Sequence, residues 1–430
     1  MKKDNRKYIP WLIFVTSFLF ISIFTNAYLT SANEASRVAT IIALEQTGEF
    51  KLNGQKYISE DFEKFNFSYS WDIIEKNGNY FSDKLPVFTI LGFVIKKLIP
   101  YNFPELPRDF SLAYYFLTLF TVGICYSFLL VYFYKSARLV GVNYKLGALA
   151  TLLLGLGTII LPFSTVFANH VPAALFLYLG FYFYLKDIKL KQRHKSHLFL
   201  IGFFITLAAV VEITIGTIFW LLFFIFLISK KDKGIILFLL GGLPWIVLHL
   251  YFNYKITGDF LPALLHFNWH PNPAYNPLLD SFLGRVSYLF TLTISPLKGF
   301  IFYNPLVLYC FYAIYKIIKR KLFFYKESIG LLICFLLPFF IWWFFTYDAS
   351  GASYGLRWVI PYLPLFFFFL TVYFRDSKFK YQNLLIISVI SVFIALVGLI
   401  NPWTTEIRAL NLKFDFPLLG NLFLIKSYFL

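Results

Sequence analysis

The sequence predicts an all-α membrane protein: a polytopic bundle of about eleven transmembrane helices, with a long first extracytoplasmic loop that carries juxtamembrane helices. Three observations predict it. Of 430 residues, 59% are hydrophobic and 14% charged, whereas a soluble domain carries roughly 25% charged residues to cover its core. The apolar residues fall in runs long enough to span a bilayer. The Lys and Arg, in a formal excess of +17, cluster in short segments between those runs, as the positive-inside rule expects. Their position assigns the positive charge to the lipid bilayer and not to nucleic acid. Cys125, Cys310 and Cys334 all lie inside predicted spans and imply neither disulfides nor a thiolate metal site. No soluble domain, repeat or low-complexity tract interrupts the chain, which reads as one domain over residues 1–430.

Lys2, Lys3, Arg6 and Lys7 precede an apolar run over residues 8–29. That run exceeds the h-region of a signal peptide, about 7–15 residues, so it predicts a retained anchor with its N-terminus in the cytoplasm, although Thr30-Ser31-Ala32 is a passable cleavage site. Residues 30–110 form the polar outer loop and hold half of the 22 acidic residues, including Glu60, Asp61, Glu63 and Glu105. Within it Val38, Ile41, Ile42 and Glu45 are spaced as an amphipathic helix lying on the membrane. Residues 85–100 are apolar but short and end in Lys96-Lys97, which suits a re-entrant or interfacial helix.

Beyond Ser111, spans are predicted near residues 111–134, 144–162, 170–185, 198–211, 215–229, 234–254, 299–318, 328–347, 357–374 and 382–400. The turns 135–145, 186–197, 230–233, 316–326 and 375–380 are each basic and belong inside. This alternation sends residues 198–229 out and back, with Glu212 near their turn, and leaves the tail 401–430 outside.

Several groups have the chemistry of a site. Ser31-Ala32-Asn33-Glu34 fits the S-x-x-E capping box, with Arg37 one turn on. The same Glu34 could serve as a base at the membrane surface, since a cap can also orient a carboxylate. In residues 71–86 an Asn77-Gly78 turn presents Tyr80, Asp83 and Lys84 at the foot of the next helix, Lys84 reading either as a phosphate partner or as a snorkelling anchor. Asn169-His170 opens a span. His266 and His270, at i and i+4, have zinc-ligand spacing, but Pro271 and Pro273 follow and no third ligand is evident. Glu212, in apolar sequence, is either a coupling carboxylate or a paired structural group. The string 347–358 sets small residues between aromatics, with Tyr354 inside it and Arg357 at the helix mouth, where a guanidinium suits phosphate. There is no P-loop and no G-x-G-x-x-G before a helix, so any transferred group must come from a donor in the membrane or outside it.

Taken together, these strings resemble the GT-C integral-membrane glycosyltransferases, in pattern above all the protein O-mannosyltransferases and lipid A aminoarabinose transferases. Asn33-Glu34 with Arg37 is similar to their Asp-Glu pair and following Arg outside the first span. Residues 80–86, Tyr-Phe-Ser-Asp-Lys-Leu-Pro, are similar to their Tyr-Phe-x-Lys-Pro-Pro string. Residues 295–305 and 351–357 are similar to a Ser-Pro-x-x-Gly-x-Phe-x-Tyr-x-Pro and a Gly-x-Ser-Tyr-Gly-x-Arg string of bacterial members. Two departures stand out. Asn33 occupies the position of the usual catalytic Asp, and Leu85 that of a proline.

The resemblance implies an inverting transfer of sugar from a polyprenyl-phosphate donor to a lipid, glycan or protein acceptor, on the outer face of a prokaryotic plasma membrane. Glu34 would act as base with Arg37 orienting it. Lys84 and Arg357 would hold the donor phosphate. Asn33, Tyr80, Asp83, His170 and Tyr354 would line the substrate. The resemblance implies no certain cofactor and leaves a divalent metal open. The rival readings are a transporter or lipid-carrier flippase coupled through Glu212, and a ligase or polymerase of the O-antigen type.

Overall fold

The computed structural model describes residues 5–54, 72–104, 109–190, 194–270, 276–376, 382–404 and 416–429. Glu60, Asp61, Glu63, Trp71 and Glu105 of the outer loop, Pro271 and Pro273 after the histidine pair, and residues 405–415 of the tail lie outside them.

The first helix, α1 (Ile9–Phe24), carries no charge and has Pro at its first turn. It is followed by α2 (Ala32–Gln46), whose N-cap is Ser31: the Ser31 hydroxyl accepts from the Glu34 amide at 3.2 Å. The spacing of Val38 and Ile41 therefore does mark a helix. It does not lie on a membrane surface, because residues from Asn33 to Ile41 are all buried within the protein. Its polar face is covered by polar groups from distant segments.

The outer loop then forms a hairpin of β1 (Ile73–Lys76) and β2 (Asn79–Ser82), in the register Ile73↔Ser82 and Lys76↔Asn79. Asn77 and Gly78, at φ 51° and 73°, supply the two left-handed residues that a tight hairpin turn needs. A short helix, α3 (Pro86–Lys96), starts on a proline and is too short to span. It packs against α2, where Lys96 pairs with Glu45 at 3.1 Å.

Further along the chain come α4 (Leu112–Leu139), α5 (Tyr144–Leu156), α6 (His170–Leu190), α7 (Lys195–Val211), α8 (Ile213–Ser229) and α9 (Ile235–Thr257). The predicted out-and-back pair is α7 and α8, broken at Glu212 alone (φ −140°, ψ 89°). Glycines let helices touch backbone to backbone here: a Cβ on Gly202 would meet the Phe238 carbonyl, and one on Gly241 the Phe199 carbonyl, at about 2 Å. Small residues at such contacts are the usual way membrane helices approach closely.

The last third holds α10 (Phe282–Thr293), α11 (Val307–Lys319), α12 (Tyr325–Phe345), α13 (Arg357–Arg375), α14 (Gln382–Gly398) and α15 (Pro417–Phe429). The predicted span 299–318 is split. A turn of helix, Phe300–Tyr303, ends at Asn304-Pro305, where the Asn304 side chain bonds the Phe300 carbonyl and the Ile159 amide.

Among the described residues, five helices are long and apolar enough to cross a membrane: α4, α6, α9, α12 and α13. α1, α5, α7, α8 and most of α14 are apolar and shorter. α13 is the central helix, 89% buried in its most apolar stretch, while α9 is 17% buried and faces outward. The connections 25–31, 157–169, 348–356 and 401–404, the foot of the hairpin and the α7–α8 break meet one another at one end of this bundle.

Candidate active site

Two polar clusters lie at that end. The first is built on Glu34. One carboxylate oxygen accepts from the Thr30 amide (3.1 Å), the Thr30 hydroxyl (3.1 Å) and the Ser31 hydroxyl (3.2 Å). The other accepts from the Phe167 amide (3.1 Å) and from the Tyr114 hydroxyl. Ser31 caps the helix as the sequence motif predicts, but the carboxylate reaches back to Thr30 instead of the cap residue's own amide. Glu34 has no exposed surface. Burial pushes its pKa up, against the lowering effect of the hydrogen bonds from Tyr114, Thr30 and Ser31.

The second cluster starts one turn later. Arg37 Nη2 donates to Asn169 Oδ1 at 2.9 Å and Nε to Asn33 Oδ1 at 3.4 Å, while the guanidinium lies 5.2 Å over the Phe88 ring. Its Nη1 has no partner among the described residues. Burial lowers the Arg37 pKa to about 10, opposed by Asp83, Glu212 and Asp72, so it stays charged at neutral pH. Asn169 turns its amide nitrogen to the Val211 carbonyl (2.8 Å) and to Glu212 Oε2 (2.7 Å). That same oxygen lies 2.8 Å from His170 Nδ1, at ion-pair distance. The helix break puts Glu212 there: its peptide belongs to neither α7 nor α8, and its side chain leaves the apolar face of both.

The hairpin foot borders this cluster. Ser82 donates to the Ser36 hydroxyl (3.1 Å), fixing β2 on α2, and the next two residues form an ion cluster. Lys84 Nζ bonds Asp72 and lies 3.0 Å from Asp83 Oδ1. Burial pushes the Lys84 ammonium down, but the two carboxylates outweigh it and hold its pKa above the ordinary lysine range. Burial raises the pKa of Asp83, against the attraction of Lys84.

Across from the hairpin, Arg357 opens α13 after a loop turned by Ser350, Gly351 and Gly355, all at positive φ. Asp348 accepts from the Gly351 amide at 2.7 Å. Arg357 stacks 4.5 Å from the centroid of Trp403, which meets Phe163 edge to face. Backbone bonds from Tyr354 to Pro402 (2.8 Å) and from Thr404 to Ala352 (3.3 Å) hold residues 401–404 on this loop. Arg357 Nε and Trp403 Nε1 are buried without a partner among the described residues. Arg37 and Arg357 lie within electrostatic reach of each other and of Asp72, Asp83 and Glu212.

The predicted residues thus divide. Arg37, Asn33, Asp83, His170 and Arg357 lie within bonding or electrostatic reach of one another around Arg37. Glu34 is walled off beside it, with no surface to offer an acceptor that arrives from water, so its position fits the cap and not the expected base. Lys84 is adjacent but neutralised, because Asp72 and Asp83 occupy it; the expected free cation is absent. Tyr354 is a core residue: its hydroxyl donates to the Ile394 carbonyl (2.7 Å) and its ring packs on Tyr303. Tyr80 stays in the hairpin, tied to Asn53 and Leu52 through its backbone. His266 pairs with Asp259 at 3.2 Å, and no metal-holding group of three ligands occurs among the described residues.

Sequence reasoning named Asn169 only beside His170 and left Glu212 open between a coupling carboxylate and a paired structural group; Trp403 it missed. The one signal at Glu212 was an ionisable residue in apolar sequence, which needs a polar partner. A separate, mainly apolar cleft of about 340 Å³, lined by Phe181, Phe219, Leu222, Leu331, Leu365 and Phe369 and also by Lys326 and Glu327, lies between α6, α7, α8, α12 and α13.

No family model and no curated protein matches the chain in sequence. Solved structures do match. ArnT from Cupriavidus metallidurans, solved bound to undecaprenyl phosphate, matches 95% of this chain and 74% of its own, with a TM-score of 0.53 and 12% identity. The same protein in the apo state gives 0.52, with 95% and 73% covered at 11% identity. The oligosaccharyltransferase of Archaeoglobus fulgidus, in the apo form, gives 0.45 at 12% identity, with 96% of this chain and 56% of that chain covered. The chain therefore has the GT-C fold that its motifs resemble, and at these identities the likeness is one of fold.

Proposed function

We propose that this protein is a membrane glycosyltransferase that moves a sugar from a polyprenyl-phosphate carrier to a lipid, glycan or protein acceptor outside the membrane, with inversion at the anomeric carbon. The observation that carries the reading is the pair Arg37 and Arg357. Each is a guanidinium with a buried nitrogen that has no partner among the described residues, and the two lie within electrostatic reach of each other. A buried donor without a partner costs about 1–3 kcal/mol, and a phosphate supplies the missing acceptors. Charge on a leaving phosphate is best stabilised by donors fixed before the reaction, in a site poor in water. The fold supports the reading: ArnT from Cupriavidus metallidurans has been solved with undecaprenyl phosphate.

In this reading Arg37 and Arg357 hold the leaving phosphate, while Lys84, Asp72 and Asp83 anchor the hairpin beside them. Glu34 fastens α2 beneath it. The apolar cleft away from the site takes part of a lipid chain. The chain spans the membrane about eleven times, with its N-terminus in the cytoplasm and the site outside. The test of function is transfer of labelled sugar from lipid carrier in membranes, together with a comparison of envelope glycolipids with and without the protein. Unchanged glycolipids and no transfer would overturn the proposal. Orientation is read by cysteine labelling with an impermeant reagent in intact cells: Glu49→Cys labels and Lys233→Cys does not, and the reverse pattern inverts the topology.

A further inference from the structure

We infer that His170, oriented by Glu212, is the general base of the proposed transfer; the inference rests on that reading. Among the described residues near Arg37 and Arg357, few alternatives remain. Asn33 is an amide and accepts no proton. Glu34 is saturated by five donors and sealed. Asp72 and Asp83 share Lys84. Asp348 is spent on the Gly351 turn.

The His170–Glu212 pair has the geometry the others lack. Nδ1 lies 2.8 Å from the carboxylate, at ion-pair distance but without hydrogen-bond alignment, and Nε2 forms no hydrogen bond among the described residues. The carboxylate is itself fixed, because Oε2 also accepts from Asn169, which is anchored on the Val211 carbonyl and on Arg37. A histidine held through one nitrogen by a fixed carboxylate presents a defined lone pair on the other. Location adds to this. The His170 ring meets Phe163 edge-on, with centroids 6.4 Å apart, and Phe163 abuts the Trp403 ring that carries Arg357. The imidazole and one phosphate-binding cation thus flank the same aromatic wall.

The step balances without another reactant. The acceptor hydroxyl or amine gives its proton to Nε2 as its oxygen or nitrogen bonds to the anomeric carbon. The bond from that carbon to the phosphate oxygen breaks, and polyprenyl phosphate leaves with the electron pair on that oxygen, its charge stabilised by Arg37 and Arg357. The imidazolium rests on Glu212 until it loses its proton to water. Glu212 is a positioning residue in this scheme. Glu212, Arg37 and Arg357 are the charged groups that face the ring.

The experiment is sugar transfer by the full chain in membranes, over pH 5–9, for wild type, His170→Ala, His170→Gln and Glu212→Gln. Thermal unfolding and undecaprenyl-phosphate binding are measured on the same preparations. General-base help is worth about 10²–10⁴-fold. Both His170 variants are therefore expected to lose at least a hundredfold in kcat with lipid-phosphate binding kept within about threefold. Added imidazole is expected to restore part of the loss in His170→Ala, and Glu212→Gln to displace the acid limb of the pH profile. Activity of His170→Gln within threefold of wild type overturns the assignment. So does a loss in His170→Ala that imidazole does not restore while binding and unfolding temperature are normal. Wild-type protein that transfers no sugar from any polyprenyl phosphate overturns the functional reading itself, and this inference with it.

Discussion

Glu34 and Glu212 are both glutamates that the fold buries at the same end of the bundle, and their surroundings could hardly differ more. Glu34 receives five hydrogen bonds from four residues of three separate segments and has no exposed surface. Glu212 keeps 14% of its side chain exposed, touches only Asn169 and His170, and shares its surroundings with two arginines that have donors to spare. A carboxylate whose lone pairs are all taken has spent its interactions on structure. One that holds a histidine by a single edge leaves the chemistry to its neighbour. Both the number of donors on each oxygen and the degree of burial separate the two.

The largest effect expected from breaking this contrast is in Glu34→Gln. One oxygen becomes an NH₂ group, which turns a donor toward the Phe167 or the Thr30 amide. Tyr114 can reverse its hydroxyl, but a backbone amide cannot. The variant is expected to lose about 2–3 kcal/mol, as one orphaned buried amide and a lost carboxylate bond would cost. The readouts are a lower unfolding temperature in detergent and less protein in membranes. A variant that unfolds like wild type but transfers no sugar would return Glu34 to the role of base.

A smaller effect is expected at the other cluster. Arg357→Lys keeps a positive charge but loses the planar fork and the stacking on Trp403. Binding of undecaprenyl phosphate, measured by titration, is expected to weaken about tenfold with the unfolding temperature unchanged. Full binding in Arg357→Ala would remove this residue from the phosphate site.

The smallest effect sharpens the contrast at the position where the family motif has an acid. Asn33→Asp turns the 3.4 Å contact with Arg37 into an ion pair, and transfer is expected to change by no more than about threefold. A rise of a hundredfold would make residue 33 the base position after all.

How far these roles could be read from sequence depended on distance along the chain. Most helix positions, the break at Glu212, the Ser31 cap and the Asn77-Gly78 turn follow from local periodicity or turn chemistry and are present in the fold, whereas the span 299–318 is split and the helices over 282–293 and 417–429 were not read. Arg37 and Arg357 entered as candidates through motif strings, and His170 as a histidine opening a span. The errors at the site concern partners far away. The Glu34 carboxylate is satisfied by Tyr114 and Phe167, 80 and 133 residues on, which no window around residue 34 contains. Lys84 is neutralised by Asp72 across the hairpin, and Tyr354 is drawn into the core by Tyr303 and by the carbonyl of Ile394. A charged or aromatic residue at an interface has the same local signature whether it is free or taken.

The donors gathered on Glu34 also bear on how the chain is assembled. A membrane protein enters the bilayer from its N-terminus, so α1 and α2 are made well before residues 114 and 167. Until those arrive, the carboxylate has only Thr30 and Ser31, and it must stay hydrated at the membrane surface. Only the arrival of Tyr114 and then Phe167 allows α2 to be drawn inside the bundle and buried. The burial of α2 thus depends on partners made 80 and 133 residues later in the chain.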